Sequence, residues 1–478
     1  MMLTNSVLLV CIASITCVDL AAAAEKVLRL PLKQLDRSRG DLQKRDGSNK
    51  VPLYNANGKE YLIEVGVGTP PQYFNLTMDT GSADFWIPSS ACPKSMCPHA
   101  RFNSIFSSTF IPLNNQKLSI EYGVGSAEGN YGLDTLTFKY SNVSLSNTTI
   151  GVVSNTSDIL VETDEMPSNG ILGIGYPDLS MKSDGRPHHI VTELFDANVI
   201  AEPVFSLFLN TQSAFGKTGE LILGGTDPTR YTGQIEYAPI VNFHLGGKHV
   251  SPNLGANKTN AGNDTYLYWA VPGQGASTST GYHYDAPDLS AYVLDTGTTL
   301  TYAPKKVVQS IVMSLTNNSK STEWDAIQEI YTVSCSLAEK SDLFVEFLIS
   351  SSDTAKSTTP MKMTVPASEL VIPLDDSPTP ENATSCMFGI APMPTGLKLT
   401  SGDTWVLGES VLRSLYTVFD LKQNRFGMAK LSSSSAEMTT SHSTTAAAIS
   451  PSATSTLLAQ TDAYSGISNN ESAASLQF

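Results

Sequence analysis

The sequence predicts an all-β protein of two related lobes with a few short helices. Three observations carry that expectation. Short apolar runs broken by Gly, Pro and Asn recur along most of the chain. Helical periodicity is scarce. A tetrapeptide occurs twice, each time within similar flanks.

The strand-like runs include Tyr61–Val67, Leu118–Tyr122, Leu133–Tyr140 and Leu221–Gly224. Turn-forming residues bound them, which suits many short strands. Two stretches have helical character: Ile190–Asn198 and Lys305–Leu315. Pro304 suits an N-terminal helix position in the second.

The repeat is Asp79-Thr80-Gly81-Ser82, which returns as Asp295-Thr296-Gly297-Thr298. An apolar run precedes each copy and apolar and aromatic residues follow: FNLTMDTGSADFW and AYVLDTGTTLTY. Further on, each copy has an apolar-apolar-Gly step, Ile171-Leu172-Gly173 and Val406-Leu407-Gly408. One such tetrapeptide arises by chance. Two, with matching context and a matching downstream step, mark homologous lobes, drawn here at 46–225 and 226–430.

Composition bounds the compartment. Hydrophobic residues make up 41% of the 478, enough for a large core, and charged residues only 16%. The net charge of −15 repels nucleic acid and anionic membranes, so no nucleic-acid partner is expected. Residues 1–24 read as a signal peptide: Val7 to Ile15 is apolar and Ala21 to Ala24 offers small residues for cleavage. No Lys or Arg precedes the apolar run, which is too short to span a bilayer, so no transmembrane span is expected. Of six Cys, Cys11 and Cys17 leave with the signal. The even number left implies two disulfides, with Cys92–Cys97 closing a tight loop and Cys335–Cys386 a long one. A zinc site is the rival use, but these Cys lack nearby His at ligand spacing. Sequons begin at Asn75, Asn142, Asn147, Asn155, Asn257, Asn263, Asn317, Asn382 and Asn470. Glycosylation there fits a secreted, extracellular protein. Asn75, close to Asp79, is the one expected to lie on a buried strand.

Residues 25–45 are basic and end in Lys44-Arg45, which reads as a propeptide with a dibasic processing site. Residues 1–45 carry seven Lys/Arg and four Asp/Glu, a net +3, which leaves −18 on the rest. A basic segment on an acidic body makes an electrostatic latch that loosens as carboxylates protonate. Residues 242–264 are Gly/Asn-rich and read as a surface insertion. Residues 431–478 are Ser/Thr/Ala-rich with no Lys or Arg. They read as a disordered tail, and cell-wall association is one use for such a stalk.

The repeated acidic loops suit one chemistry. Peptide hydrolysis needs a base to activate water and an acid to protonate the leaving amine. Two carboxylates sharing a proton supply both, because like charges a few ångströms apart do not both ionise cheaply. Gly81 and Gly297 permit tight loops whose N–H groups approach the carboxylates. Thr80 and Thr296 are suited to bond across the two-fold axis, and Ser82 and Thr298 to hold the outer carboxylate oxygens. A metal site would ask for more carboxylate or His ligands, so no metal or cofactor is expected.

These loops, with Trp86, resemble those of pepsin-like aspartic proteases. The resemblance runs over about residues 58–430 and includes Ser119-Ile-Glu-Tyr122-Gly-Val-Gly125-Ser, similar to the family's flap hairpin. It also includes Asn169 to Pro177 and Trp405 to Arg413. It implies a two-lobed pepsin-like fold with pseudo-two-fold symmetry and an active-site cleft between the lobes, and a secreted fungal-type enzyme, made as a zymogen, that cleaves internal peptide bonds at acid pH. Asp79 and Asp295 are then catalytic. Substrate binding falls to Tyr122, Gly123, Val124, Gly125, Gly81, Gly297 and Thr298. Thr80, Ser82, Trp86 and Thr296 support the site, Trp86 as hydrogen-bond partner of Tyr122. The resemblance also puts the four Cys where the family has disulfides. Extended polypeptides are the expected substrates, the propeptide the inhibitor, and the enzyme a monomer.

Two departures stand out. Glu409 replaces the family's usual Asp after the Leu-Gly step, and Val124 replaces an acidic flap residue of some fungal members. Glu162, Asp164 and Glu165 form an acidic patch that reads as a solvated loop or, alternatively, as tolerance for basic side chains. His188-His189 follow a loop signal and are expected at the surface. A non-catalytic pepsin-like surface glycoprotein or binding module is the main competing class. It would be marked by loss of a catalytic Asp, and both are present. A two-carboxylate glycosidase would not need the repeated Asp-Thr-Gly loops.

Overall fold

Three sheets hold all the described strands, and four short α-helices join them. The computed structural model describes residues 26–34, 476–477, and 61–432 apart from 124, 140, 142, 161–167, 182–188, 212–215, 242–265, 376, 378 and 395–403. The expected signal peptide, Lys44-Arg45, Val124, the acidic patch, His188, the insertion, most of the tail and the sequons at Asn142, Asn257, Asn263 and Asn470 lie outside the described residues.

The first half supplies β1 (Leu28–Gln34), β2 (Tyr61–Val67), β3 (Gln72–Asp79), β4 (Phe85–Pro88), β5 (Ile111–Tyr122), β6 (Ser126–Phe138), β7 (Ser144–Ser157), β8 (Ile171–Gly173), β9 (Val204–Leu209) and β10 (Gly216–Leu223). The second half adds β11 (Tyr231–Pro239), β12 (Ala270–Thr278), β13 (His283–Leu294), β14 (Thr301–Ala303), β15 (Glu323–Asp325), β16 (Ile330–Val333), β17 (Phe344–Ile349), β18 (Met361–Pro366), β19 (Val371–Pro373), β20 (Cys386–Phe388), β21 (Ile390–Pro392), β22 (Thr404–Leu407), β23 (Leu415–Asp420) and β24 (Arg425–Leu431). A last strand is β25 (Leu476–Gln477).

The largest sheet has the order β11-β24-β23-β9-β10-β1-β2-β3-β8-β4-β7-β6-β5-β25, so strands from both halves of the chain are continuous in it. The second sheet is β18-β17-β12-β13-β22-β14-β21 and the third β15-β16-β20-β19. The duplication shows in the topology. β8 lies between β3 and β4, parallel to β3, as β22 lies between β13 and β14, parallel to β13. Each Asp ends, or directly follows, the longer strand of its trio.

Strand β1 lies inside the main sheet, between β10 and β2 of the first half. Its sequence alternates, so Leu28, Leu30 and Leu32 are buried while Arg29 faces out. It pairs antiparallel with β10 along its length and with the start of β2. Between the lobes, Trp269 packs on Tyr176, Phe205 and Phe419, and Phe205 stacks on Phe419 with centroids 4.6 Å apart. The Trp269 indole also donates to the Ile174 carbonyl at 2.9 Å. That buried aromatic group ties the loop behind Asp79 to the second half of the chain.

Helix α1 (Ile190–Asp196) is two residues shorter than expected, because Asn198 takes a left-handed φ of 56°. Helix α2 (Lys305–Leu315) has the expected bounds, with Pro304 as its N-cap. Its buried Val307, Val308, Ile311, Val312 and Leu315 form one apolar stripe. Helices α3 (Ala367–Leu370) and α4 (Glu409–Leu412) are single turns.

Two expectations need correction. His189 is buried rather than on the surface, since it caps α1 and follows Ile190, Val191 and Leu194 into the core. The tail does not begin as irregular chain at 431. Leu431 pairs with Tyr231, and the Ser432 N–H donates to the Arg230 carbonyl. At the far end Leu476–Gln477 pairs in parallel with Glu121–Tyr122.

The disulfides Cys92–Cys97 and Cys335–Cys386 are both formed. Cys335 lies in a short 3-10 turn and Cys386 on β20, so the longer bridge pins the third sheet. Asn147, Asn155, Asn317 and Asn382 are exposed. Asn75 is half-buried on β3, and the Thr77 of its sequon lies 2.7 Å from the Ser168 hydroxyl. Among the described residues no helix is long and apolar enough to cross a membrane.

Candidate active site

The two Asp-Thr-Gly loops meet at the seam of the lobes. Thr80 and Thr296 lock them together. The Thr80 N–H donates to Thr296 Oγ1 at 3.1 Å and the Thr296 N–H to Thr80 Oγ1 at 2.9 Å. Each hydroxyl then donates to the strand before the opposite Asp, Thr80 to the Leu294 carbonyl and Thr296 to that of Met78, both at 2.8 Å. A serine could offer the same hydroxyl, but threonine's restricted χ1 holds it in place.

This lock sets the carboxylates face to face. The Gly81 N–H donates to Asp79 Oδ1 and the Gly297 N–H to Asp295 Oδ1, each at 2.8 Å. Ser82 Oγ donates to Asp79 Oδ2, and Thr298 Oγ1 to Asp295 Oδ2. Each glycine lies under the opposite carboxylate. A Cβ on Gly81 would fall 2.7 Å from Asp295 Oδ1, and one on Gly297 2.4 Å from Asp79 Oδ1. Only glycine permits that approach.

The environment forces the pair to hold a proton. Both carboxyls are buried, Asp79 with 2% and Asp295 with 0% of its surface exposed. Burial, then the like charge of Asp295, raises the Asp79 pKa well above the ordinary carboxylate value, against the pull of Ser82 and Gly81. Burial also raises that of Asp295, opposed by the Thr298 hydroxyl and the Gly297 N–H. The two titrate as one unit.

The flap hairpin is β5 and β6. Gly125 turns it with a φ of 84°, and a Cβ there would meet the Ser157 carbonyl at 2.0 Å. The Tyr122 N–H donates to the Gly125 carbonyl at 3.0 Å across the turn, beside Gly123. Tyr122 is itself buried, and Trp86 Nε1 donates to its phenolic oxygen at 2.7 Å. Burial and the negative charge of Asp79 push the Tyr122 phenol well above its ordinary pKa, so it stays protonated.

Asp79, Thr80, Gly81, Ser82, Asp295, Thr296, Gly297 and Thr298 meet here, with Tyr122 and Trp86 beside them, whereas the paired Cys and the sequon Asn lie elsewhere. Glu409 lies behind the second loop, its N–H donating to the Thr298 carbonyl at 2.8 Å. In the first lobe Gly175 makes the matching bond to the Ser82 carbonyl at 2.6 Å. Sequence reasoning missed Asp84 and Tyr268. Asp84 is buried five residues after Asp79, in the stretch between the first acidic loop and β4, and its place as the one acidic residue in the run Ala83–Pro88 was the available signal. Tyr268 is buried and sits close enough to Asp295 for that charge, after burial, to raise its phenol. No sequence pattern pointed to it.

Comparisons with known proteins agree with this geometry. A family model described as eukaryotic aspartyl protease matches residues 60–431. The chain is 28% identical over 435 residues to mucorpepsin of Rhizomucor pusillus, covering 86% of this chain and 92% of that one. It is 29% identical over 398 residues to mucorpepsin of Rhizomucor miehei, covering 81% and 82%. Pepsin II-1 of Oryctolagus cuniculus is 30% identical over 379 residues, with 79% and 82% covered. With two paired Asp-Thr-Gly loops under a tyrosine flap and a family match across both lobes, the chain belongs to the eukaryotic aspartyl protease family, the aspartic-type endopeptidases.

Proposed function

We propose that the protein is a secreted aspartic endopeptidase, made as a zymogen, which hydrolyses internal peptide bonds at acidic pH. The observation that carries this reading is the facing, buried pair of Asp79 and Asp295, each holding one oxygen on a glycine N–H and the other on a hydroxyl. With one proton on the pair, the ionised carboxylate takes a proton from a water held between them. The protonated partner donates to the carbonyl oxygen of the scissile bond. The resulting diol collapses as the pair returns a proton to the leaving nitrogen, so no covalent intermediate forms. Tyr122, Gly123 and Gly125 close over the extended substrate and exclude bulk water, while Gly81, Gly297 and Thr298 leave room for its backbone.

Zymogen character rests on β1. Residues 28–34 form an interior strand of the main sheet, between β10 and β2, upstream of the Lys44-Arg45 site. Arg29 bonds to Asp227 and lies 3.9 Å from Glu220. Secretion rests on the apolar residues 7–15, the two disulfides and the exposed sequons.

The test is digestion of a denatured protein at acid pH by the wild type, Asp79→Asn and Asp295→Asn. Either variant is expected to fold and to lose activity by at least about a thousandfold, the scale of losing a general acid–base group. Retained cleavage by either variant would overturn the assignment.

A further inference from the structure

Asp84 is a buried carboxylate that the reaction does not use. It has 3% of its surface exposed and accepts hydrogen bonds from Tyr131, Ser180 and Met181 among the described residues. Its Oδ1 accepts from the Tyr131 hydroxyl and the Ser180 hydroxyl, both at 2.7 Å, and its Oδ2 from the Met181 N–H at 3.0 Å. Burying a carboxylate costs several kcal/mol unless it is well bonded, and apolar residues often serve the fold as well.

The second lobe makes that comparison within the molecule. The residue five places after Asp295 is Leu300, fully buried in an apolar cluster with Tyr302, Val293 and Val406. Its backbone plays the same part. A Cβ on Gly408 would strike the Leu300 carbonyl at 2.2 Å, as one on Gly173 would meet that of Asp84 at 2.8 Å. The loop fold therefore accepts an apolar residue here. What differs is the neighbour. Tyr131 lies on β6, one strand of the flap hairpin, in the same cluster as Tyr122 and Trp86. Trp86, two residues on and within β4, holds β5 through Tyr122. Asp84 holds β6, and through Ser180 and Met181 it fastens the segment after β8 to the same point.

We propose that Asp84 is a positioning residue for the flap, clamping its second strand as Trp86 clamps its first. It acts on substrate capture rather than on bond breaking, and this rests on the endopeptidase reading above. Two measurements test it, on Tyr131→Phe, which removes the flap link alone, and on Asp84→Asn. The first is KM against kcat for an extended peptide. KM is expected to rise roughly three- to tenfold in Tyr131→Phe and by about tenfold or more in Asp84→Asn, with kcat within about twofold. The second is hydrogen exchange of residues 117–131 in the free enzyme, expected to speed up about tenfold while β3 and β13 keep their protection. Unchanged flap exchange in both folded variants, or a loss confined to kcat, overturns the proposal. Should Asp84→Asn fail to fold, Tyr131→Phe decides. An inactive wild type would overturn the endopeptidase reading, and the exchange arm would then decide the role of Asp84 by itself.

Discussion

Trp86 and Tyr122 are 36 residues apart, yet the indole N–H of one donates to the phenolic oxygen of the other inside the core. The flap is thereby fixed to the strand that follows the first catalytic loop. Tyr122→Phe keeps the ring and its packing but leaves the Trp86 N–H without an acceptor. A buried donor left unmade costs about 1–3 kcal/mol, so kcat/KM should drop roughly ten- to a hundredfold. Steady-state kinetics on one peptide, with melting temperature as a control, checks it. Full activity would mean that the bond does not govern the flap.

The hydroxyl of Ser82 favours the ionised form of Asp79. Ser82→Ala removes that donor, so the paired carboxyls should take up a second proton at higher pH. Activity is lost on the acid side when both are protonated. The acid limb of the pH–activity profile should therefore move upward by about one unit. A limb that stays put, or moves down, contradicts the geometry.

His189 carries a separate pH prediction. Burial lowers its pKa to about 4, although the carbonyls of Ile174 and Gly175 pull the other way. The unfolded chain takes up the proton near pH 6.5, so its stabilising contribution is present above that pH and is lost as pH falls toward 4. The loss amounts to about 3 kcal/mol. His189→Leu should match the wild type within about 1 kcal/mol at pH 7 and exceed it in stability at pH 4. Urea unfolding at both pH values tests this, and a difference independent of pH would refute it.

The Arg29–Asp227 pair predicts how β1 lets go. Burial raises the Asp227 pKa, but the Thr229 donors and Arg29 outweigh it and hold the carboxyl below its ordinary value. The contribution is thus present above about pH 4 and disappears as pH falls through the lowered value. Arg29→Ala should release residues 28–34 at higher pH and speed the appearance of the processed N-terminus. A time course of N-terminal sequencing across pH 3 to 6, roughly the carboxylate range, reads this out. Identical pH dependence in variant and wild type would leave the pair no part in the latch.

Local pattern determined much of this protein. The Asp-Thr-Gly repeat identified both acidic residues and their supporting hydroxyls, because covalent neighbours fix which groups surround a tight glycine loop. The apolar runs at Tyr61–Val67 and Lys305–Leu315 matched their elements, the first as a short strand buried on both faces and the second as a helix with one buried stripe. Tertiary structure alone decided the rest. Asp84 and Tyr131 are 47 residues apart, and nothing local to either announces their bond. His189 read as a surface residue, until three apolar neighbours carried it inside. The place of β1 between β10 and β2 and the aromatic cluster around Trp269 likewise depend on which distant strands lie side by side. Sequence shows what each residue offers its neighbours in the chain, whereas packing chooses which remote groups share its surroundings and hence its charge.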